Sequence, residues 1–398
     1  MEYISLKILF HMNEKQCEET YLSRFNSEFA HKLNIFINDY ECFYVVNEEL
    51  MNLLISIERI NSWVETIVRS KEFPEYSFGF FTFSSLIEEI RSSNKIEGIH
   101  STRKEIKDLV NKENPKQYKR FYGMVNKYNL LKNEKFKDIE NCSDIRKLYD
   151  EILLKDILNE DKDDYPDGLF FRTKTVEISS GVKVLHQGMM DEKKIIENMD
   201  KSLKILNDES IAAPIRISLF HYLFEYIHPF YNGNGRMGRF IASGYLSKYY
   251  NILCAFQLSI ACKHNNKKYY EAFEITNDIR NKADLTPFII NFLEIYFSGL
   301  QELQSIIKQN LAAYYLYENY MAKLVDKDDL CVAKVLLQST IFGRDGLSLE
   351  ELANKLEFSE VTLRKKIKNI NSKENLIEID NSHKPYKYSI SKDFLSKY

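Results

Sequence analysis

The segment at residues 228–239 reads His-Pro-Phe-Tyr-Asn-Gly-Asn-Gly-Arg-Met-Gly-Arg and constrains the fold more than any other stretch of the chain. A helical pattern of apolar residues precedes it and stops at His228. A second helix is predicted to begin near Gly235 and to run to about Tyr250. Between the helices, Gly233 and Gly235 permit positive φ angles and a close approach of the backbone to a ligand. The sequence therefore predicts two helices joined by a short, glycine-bounded bend.

The bend and the helix after it have the composition of an anion site. The backbone amides of residues 233–235 lead into a helix N-terminus, where N–H groups and the helix dipole favour an anion. Arg236 and Arg239 are three positions apart, so both project from one side of that helix toward the same anion. His228 lies just before the bend, where an imidazole could deprotonate a hydroxyl at neutral pH. A lone histidine or a Gly-Asn-Gly turn is usually structural, but the combination indicates a phosphate-binding, catalytic segment.

Composition bounds the fold class. The 398 residues have room for two or three domains, and 13 Gly and 7 Pro are few enough to predict a mainly helical fold. A net charge of −3 provides no strong field to recruit nucleic acid or an anionic membrane. The six Cys form no Cys-x-x-Cys pair, which favours a reducing compartment. Without a signal-peptide pattern or a spanning apolar run, we expect a cytoplasmic protein and no membrane partner.

Four regions are predicted along the chain. They are an N-terminal helical region (1–80), a core (81–300), a connecting helix (301–328) and a C-terminal module (329–398). One hairpin is predicted in the first 300 residues, at about 172–186, where Val176-Glu177-Ile178 and Val182-Lys183-Val184 alternate in character around Ser179-Ser180-Gly181. Ser210 is the predicted cap of the helix that leads to His228, with Pro214 in its first turn.

The C-terminal module is predicted to be a winged helix-turn-helix, with three short helices and two strands after residue 329. Its third helix, at about 359–370, carries a basic face, and Val361, Leu363 and Ile367 are predicted to face the small core. Such a face could lie along a phosphate backbone. Basic helices are also common as solvated surfaces, and winged helices often bind proteins. We therefore expect the module to bind either DNA or a protein partner.

The 228–239 segment resembles the signature of the Fic family, His-x-Phe-x-(Asp/Glu)-Gly-Asn-Gly-x-x-x-Arg with an arginine after the second glycine. The resemblance covers about residues 80–300. It extends to His221-Tyr222 and Glu225-Tyr226-Ile227 upstream, and to Tyr269, Tyr270, Asn277 and residues 284–289 downstream. It implies a Fic-type helical bundle in which the 172–186 hairpin is a flap that aligns a target segment by adding a strand. Tyr269, Tyr270 and Asn277 resemble the nucleotide-base pocket.

The resemblance also implies an activity, the transfer of AMP from ATP to a tyrosine, threonine or serine hydroxyl of a target protein, including self-modification. His228 would take the proton of the hydroxyl, and pyrophosphate would leave. Arg236 would hold the β-phosphate and Arg239 the γ-phosphate. Asn234 and the amides of Gly233 and Gly235 would hold the α and β groups.

One position departs from the family pattern. The acidic metal ligand of the family is Asn232 in this chain. An amide oxygen can coordinate Mg²⁺ but lacks the charge of a carboxylate. We therefore expect weaker metal affinity, or a need for Mn²⁺, with activity retained.

Residues Ser93-Asn94-Lys95-Ile96-Glu97-Gly98 resemble the inhibitory motif of the family, (Ser/Thr)-x-x-x-Glu-(Gly/Asn). In a helix at about 82–98 the four-residue spacing puts Ser93 and Glu97 on one face. Glu97 could then pair with Arg239 and keep it from the γ-phosphate. Glu-Gly is also a common sequence at the C-terminus of a helix, so Glu97-Gly98 could simply end this helix.

Several alternatives stay open at the level of sequence. The same pocket could remove AMP, or transfer another phosphate-containing group, or sense nucleotide in a DNA-binding regulator without transferase activity. Inhibition in related proteins can depend on dimerisation, so a homodimer is a further possible assembly. The sequence identifies neither the target protein nor an interface.

Overall fold

The computed structural model describes residues 3–110, 119–132, 136–180, 183–382 and 384–397. The chain divides into two compact units. The first consists of Met1–Ser62 and Leu86–Gln301, and the second of Trp63–Ser85 and Glu302–Tyr398. The predicted functional regions 1–80, 81–300, 301–328 and 329–398 stay a prediction.

The described residues are mainly helical, as the sequence predicted. Up to His228 the helices are α1 (Leu6–Met12), α2 (Glu14–Phe25), α3 (Glu48–Arg69), α4 (Ser77–Ile96), α5 (Arg103–Val110), α6 (Tyr122–Lys132), α7 (Cys142–Tyr149), α8 (Lys155–Glu160), α9 (Glu192–Leu206) and α10 (Ala213–Ile227). After it follow α11 (Asn234–Tyr249), α12 (Ile252–Ala255), α13 (Leu258–His264), α14 (Asn266–Asn277) and α15 (Thr286–Leu324). A π-turn (Asp150–Leu154) joins α7 to α8, and 3₁₀ turns cover Lys162–Asp164 and Ile279–Asn281. No helix in these described ranges is long and apolar enough to cross a membrane.

The N-terminal region contains a hairpin that the sequence prediction missed. Strands β1 (Ala30–Ile37) and β2 (Tyr40–Val45) pair antiparallel within the region 1–80, for which only helices were predicted. The two-residue turn has positive φ at Asn38 (49°) and Asp39 (68°). That geometry matches the twist of a hairpin and is favoured by Asn and Asp. The signal was present in Ile35, Phe36 and Ile37, where the apolar side chains alternate between buried and exposed.

The hairpin of the core consists of β3 (Glu177–Ser180) and β4 (Lys183–Gln187), which pair antiparallel with Glu177 opposite Gln187. It coincides with the segment predicted from the sequence. The predicted turn residue Gly181 and its neighbour Val182 lie outside the described residues. The base of the hairpin is closed by a hydrogen bond from the Gly188 amide to the Val176 carbonyl (3.0 Å).

Helices α10 and α11 position the site, and most of their side chains are buried. A helix that is apolar on every face belongs in a core, because no side of it can be left to water at low cost. Helix α10 begins after Ala212, with Pro214 in its first turn as predicted. The predicted cap was wrong, since the Ser210 hydroxyl donates to Asp208 instead.

The second unit carries the C-terminal elements in the predicted order. They are α16 (Leu330–Gln338), a π-turn (Ser339–Gly343), α17 (Leu349–Leu356), α18 (Glu360–Lys373), β5 (Ile377–Asp380), β6 (Lys387–Ile390) and α19 (Lys392–Lys397). The two strands pair antiparallel, and Leu347 forms an isolated bridge with Tyr388. In α18, Leu363 and Ile367 are buried but Val361 is 78% exposed, so its predicted core position was wrong. DNA binding by this unit stays a prediction.

Candidate active site

His228 occupies the end of α10 in a left-handed conformation (φ 54°, ψ 64°). The following Pro229 disfavours a helical conformation at His228, so the helix stops there and the backbone turns. The His228 amide still donates to the Phe224 carbonyl (2.9 Å), which closes the last helical turn. The imidazole is 17% exposed, and its Nδ1 lies 3.3 Å from the Glu225 carbonyl and 4.0 Å from the Glu225 carboxylate. The local backbone thus fixes the ring at the surface of the core.

Arg172 holds this turn together and was missed by the sequence reasoning. Its side chain is fully buried and donates to the carbonyls of His228 (2.7 Å), Met189 (2.8 Å) and Ile227 (3.3 Å). Burial lowers the pKa of Arg172. Because these carbonyls end α10 and follow β4, the guanidinium ties the base of the hairpin to the histidine turn. No local sequence pattern marks such a contact, which spans 56 positions.

The bend after His228 is braced by Asn234 and Tyr149. The Asn234 side chain accepts from the Phe230 amide (2.9 Å) and donates to the Phe230 carbonyl (2.8 Å). The Tyr149 ring stacks on Phe230 at 3.7 Å, and its hydroxyl donates to the Asn232 carbonyl (3.0 Å). Gly233 takes a φ of +82° that a side chain would strain. The Asn234 side chain, predicted to help hold phosphate, is therefore engaged in shaping the bend, and its backbone amide is left for that role.

Gly235 allows an acidic side chain to reach the N-terminus of α11. A Cβ at this position would lie 2.2 Å from Glu97 Oε1 and 2.8 Å from Glu97 Cδ. The carboxylate therefore rests against the first turn of α11, where the amides of a helix N-terminus favour a negative charge. The Glu97 side chain is 31% exposed there. The structure thus shows a carboxylate in the position that an anionic ligand of this helix would take.

Arg239 joins α11 to the end of α4. Its Nη2 donates to Glu97 Oε1 (2.7 Å) and to the Ser93 carbonyl (3.0 Å), and its Nε donates to Ser93 Oγ (3.1 Å). Burial by itself would lower the pKa of Arg239, but the Glu97 carboxylate more than offsets this and the pKa is well above the ordinary value. Gly98, with a φ of 72°, lets the chain leave α4 immediately after Glu97. The structure therefore brings together Ser93, Glu97 and Arg239.

Glu89 anchors the same helix one turn before Ser93. Its buried carboxylate accepts from Ser243 Oγ (2.9 Å), Ser259 Oγ (2.7 Å), the Ser259 amide (2.8 Å) and the Ile260 amide (3.3 Å). Burial raises the pKa of Glu89, and these hydrogen bonds act in the opposite direction. Glu89 is four positions before Ser93, so both lie on one face of α4. Sequence reasoning did not find Glu89, since its partners come from distant segments.

Arg236 is buried (2% exposed) beside this pair. Within the described part of the chain its Nε and Nη2 have no hydrogen-bond partner. Burial lowers the pKa of Arg236, whereas the nearby carboxylates, that of Glu97 first, favour the charged form. A buried guanidinium with unused donors is costly unless an anion completes its hydrogen bonds. The side chain is thus prepared for a ligand.

Two titratable groups of α10 lie behind the site. Burial raises the pKa of Glu225 to about 8, and the neighbouring Glu97 carboxylate adds to the effect. Glu225 Oε1 is buried and has no hydrogen-bond partner among the described residues. Burial lowers the pKa of His221 to about 3, and the charge of Arg239 acts in the same direction. Both groups are therefore neutral near pH 7, which limits the net charge around Arg239.

The three residues expected near the nucleotide base lie on α14 in different environments. Tyr269 is buried (2% exposed) with its hydroxyl 2.8 Å from His221 Nε2, which places it in the core. The Tyr270 hydroxyl donates to the Ile96 carbonyl (3.3 Å), beside Glu97. Asn277 Oδ1 accepts from the Tyr222 hydroxyl (2.8 Å). Of the three, Tyr270 is the one that the structure brings to the end of α4.

Asn232, the expected metal ligand, is exposed at the outer edge of the bend. Its Nδ2 donates to Asp164 Oδ2 (3.1 Å), so the amide nitrogen faces this carboxylate. No group of three or more histidine, cysteine or acidic side chains that could hold a metal occurs among the described residues. A metal here would need further oxygen ligands from its substrate or from water, as Mg²⁺ commonly does.

Residues 140–246, which include α10, the bend and all but the last three residues of α11, match the Fic/DOC family. The Fic resemblance of the signature is thereby confirmed for this part of the chain. No curated protein matches the chain.

Solved structures of Fic proteins resemble the chain at low sequence identity. A Fic family protein from Desulfovibrio desulfuricans G20 is 19% identical with a TM-score of 0.53, covering 88% of this chain and 98% of its own. Fic-1 from C. elegans is 16% identical (TM-score 0.42, covering 66% and 72%). A Fic domain containing signaling protein from Bacteroides thetaiotaomicron VPI-5482 is 16% identical (TM-score 0.44, covering 65% and 95%). The first of these shows a shared Fic fold.

Proposed function

We propose that the chain transfers AMP from ATP to a hydroxyl side chain of a protein, and that Glu97 restrains the reaction. The observation that carries this proposal is the buried Arg236 guanidinium, whose Nε and Nη2 have no partner in the described chain, next to the N-terminus of α11. A guanidinium and a helix N-terminus that meet at one place favour an anionic polyphosphate over a neutral ligand. The Fic/DOC match over residues 140–246 supports the same substrate class.

The polyphosphate of ATP would lie across the first turn of α11. Arg236 would take the β-phosphate with its two unused donors, and Arg239 the γ-phosphate once Glu97 has withdrawn. The amides of Gly233, Asn234 and Gly235 would face the α and β groups, and Gly235 leaves the room that they need. Tyr270, at the end of α4, would border the base.

His228 would act as the general base. It takes the proton of a tyrosine, threonine or serine hydroxyl, and the oxygen forms a bond to the α-phosphorus. The bond from the α-phosphorus to the bridging oxygen breaks, and pyrophosphate leaves with the electron pair. Arg172 holds the backbone of His228 through its carbonyl (2.7 Å). The imidazole would thereby keep the position that proton transfer requires. The hairpin of β3 and β4, tied to this turn, would add a strand to the target segment.

Magnesium or manganese would be held by the Asn232 amide oxygen and the Asp164 carboxylate, together with phosphate oxygens. When bound, the ion supplies positive charge that offsets the charge developing on the phosphates. Asn232 is exposed and Asp164 is partly exposed, and rotation of the Asn232 amide would bring its oxygen to the place beside the carboxylate where Nδ2 now lies, 3.1 Å from Asp164 Oδ2. Asp164 thus provides a carboxylate that position 232 lacks.

Restraint follows from the geometry of Glu97. Its carboxylate both bonds Arg239 (2.7 Å) and covers the start of α11, so the γ-phosphate would compete for the cation and for the space. Electrostatic repulsion between the carboxylate and a phosphate adds to the competition. ATP would then bind in a pose unsuited to attack, and labelling by the wild-type protein would be slow.

Radiolabelled ATP tests the proposal. The wild type, Glu97→Gly and the double variant Glu97→Gly with His228→Ala are incubated with [α-³²P]ATP or [γ-³²P]ATP and a lysate. We expect α-label on protein with Glu97→Gly, weak label with the wild type, and none with the double variant. Label from the γ position would instead show phosphorylation. No label from Glu97→Gly, with sequence-specific retention of DNA, would overturn the proposal in favour of a nucleotide-sensing regulator.

A further inference from the structure

A cleft lies at the start of α10, at the opposite end of the helix from His228. Its volume is about 310 Å³. It is lined by Asp138, Glu140, Leu203, Lys204, Leu206, Asn207, Glu209, Arg216 and Tyr249. The volume is at the lower end of the range of about 300–1,000 Å³ for ligand sites, so a small ligand fits.

Arg216 forms the base of this cleft and is only 2% exposed. Its Nη2 donates to the Tyr249 hydroxyl, and the guanidinium carbon lies 5.0 Å from the centre of the Tyr249 ring. Its Nε and Nη1 have no hydrogen-bond partner within the described ranges of the chain. The nearby Asp208 carboxylate binds Ser210 through its Oδ1 and leaves these donors unused. A buried guanidinium with unused donors is suited to an anion such as a carboxylate or a phosphate.

The rim of the cleft decides between these anions. It carries the carboxylates of Asp138, Glu140 and Glu209 and the ammonium of Lys204. Asp138 is paired with Lys248, whereas Glu140 and Glu209 are exposed at the opening. A phosphate dianion in the cleft would be repelled by these two carboxylates, and a cationic group would be attracted.

We infer that the cleft binds a small zwitterion, whose carboxylate pairs with Arg216 at the base and whose cationic group meets Glu140 and Glu209 at the rim. Leu203 and Leu206 provide apolar contact between the two ends. Two sources share this chemistry, a free basic amino acid and the C-terminal lysine or arginine of a peptide. The Asn207 amide is held in place, since its nitrogen donates to the Ile139 carbonyl (2.9 Å) and its oxygen accepts from the Tyr245 hydroxyl (2.8 Å).

Binding to the full-length chain is measured by calorimetry, with L-lysine, the peptide acetyl-Gly-Gly-Lys with a free C-terminus, and inorganic phosphate as probes. We expect saturable binding of L-lysine, of the peptide, or of both. The affinity for the bound probe should be higher than the affinity for phosphate. Binding of the peptide alone would assign the source to a protein C-terminus, and binding of L-lysine alone to the free amino acid. Saturable binding of neither, or tighter binding of phosphate than of both, would overturn the inference.

Variants locate the site. Arg216→Gln should lower the affinity for the bound probe at least tenfold. Glu209→Lys should also lower the affinity for this probe and should raise the affinity for phosphate. Because Glu209 is exposed, its variant folds even if Arg216→Gln does not. Glu28→Gln, an exposed carboxylate elsewhere, serves as the matched control and should bind as the wild type does. Equal affinities in the wild type and in Glu209→Lys would contradict the assignment.

Discussion

The Glu97 carboxylate and the Arg239 guanidinium, 142 positions apart in the chain, meet at 2.7 Å in front of the first turn of α11. The pair fills the place where a phosphate would bind, and Gly235 is the residue that leaves room for it. Arg236, next to the pair, has two donors without a partner in the described chain. Arg239 is thus occupied by Glu97, whereas Arg236 has donors available for a ligand. The position of the Glu97 side chain therefore decides whether Arg239 is available as well.

Replacing Glu97 by Gln should raise the rate of self-labelling above the wild-type rate but below that of Glu97→Gly. The amide oxygen can still accept a hydrogen bond from Arg239, but a charge-assisted bond is about twice as strong as a neutral one. Initial rates with [α-³²P]ATP measure the difference. A rate for Glu97→Gln equal to the wild-type rate would show that the charge of Glu97 is not what restrains the site.

Replacing Glu89 by Gln should loosen the end of α4 and raise basal labelling severalfold. The carboxylate accepts four hydrogen bonds from Ser243, Ser259 and Ile260, and an amide cannot accept all of them. Losing part of a buried network costs about 1–3 kcal/mol of folding free energy, which urea unfolding would show. In the Glu97→Gly background the same change should leave labelling unaltered, because the restraint is already absent. A further rise in that background would contradict a role through Glu97.

Glu225 should make stability depend on pH. Burial raises its pKa from 4.5 to about 8 in the folded protein, so the folded state holds the proton more tightly than the unfolded state. Its contribution to stability is therefore fully present below pH 4.5 and is lost as the pH rises through 8. Relative to the wild type, Glu225→Gln should gain about 1 kcal/mol per pH unit across this window. Urea unfolding at several pH values measures the difference, and a difference independent of pH would refute the assignment.

Replacing Asn232 by Asp should strengthen metal binding in the presence of ATP. A carboxylate adds a negative charge to the oxygen ligands, which hard cations prefer. We expect about a tenfold lower half-saturating Mn²⁺ concentration, read from the electron paramagnetic resonance of free Mn²⁺, since a charge at an exposed site is worth about 1.4 kcal/mol at most. Asp164→Asn should shift the value in the opposite direction. An unchanged value in both variants would exclude these two side chains as ligands.

Much of the fold could be predicted because its signals are local. Helix formation depends on neighbouring residues, and it is indicated here by the low content of Gly and Pro and by the apolar pattern before His228. The 172–186 hairpin is likewise indicated by residues close together in the chain. The hairpin at Ala30–Val45 was missed although Asn38 and Asp39 form a turn of a known type, because its second strand is mostly buried and does not alternate between apolar and polar residues. Val361 was misplaced because a helix with few apolar residues does not define which of them faces the core.

The sequence by itself determined that a histidine, a glycine-bounded bend and two arginines follow one another, since their spacing is set by the chain. Only the tertiary structure decided that Arg172 holds the His228 carbonyl, that Glu89 anchors α4 and that Arg236 lacks partners while Arg239 has them. These relationships join segments between 56 and 171 positions apart. A buried charge or hydrogen-bonding group takes its partner from whichever segment packs against it, and that choice is made by the whole core at once.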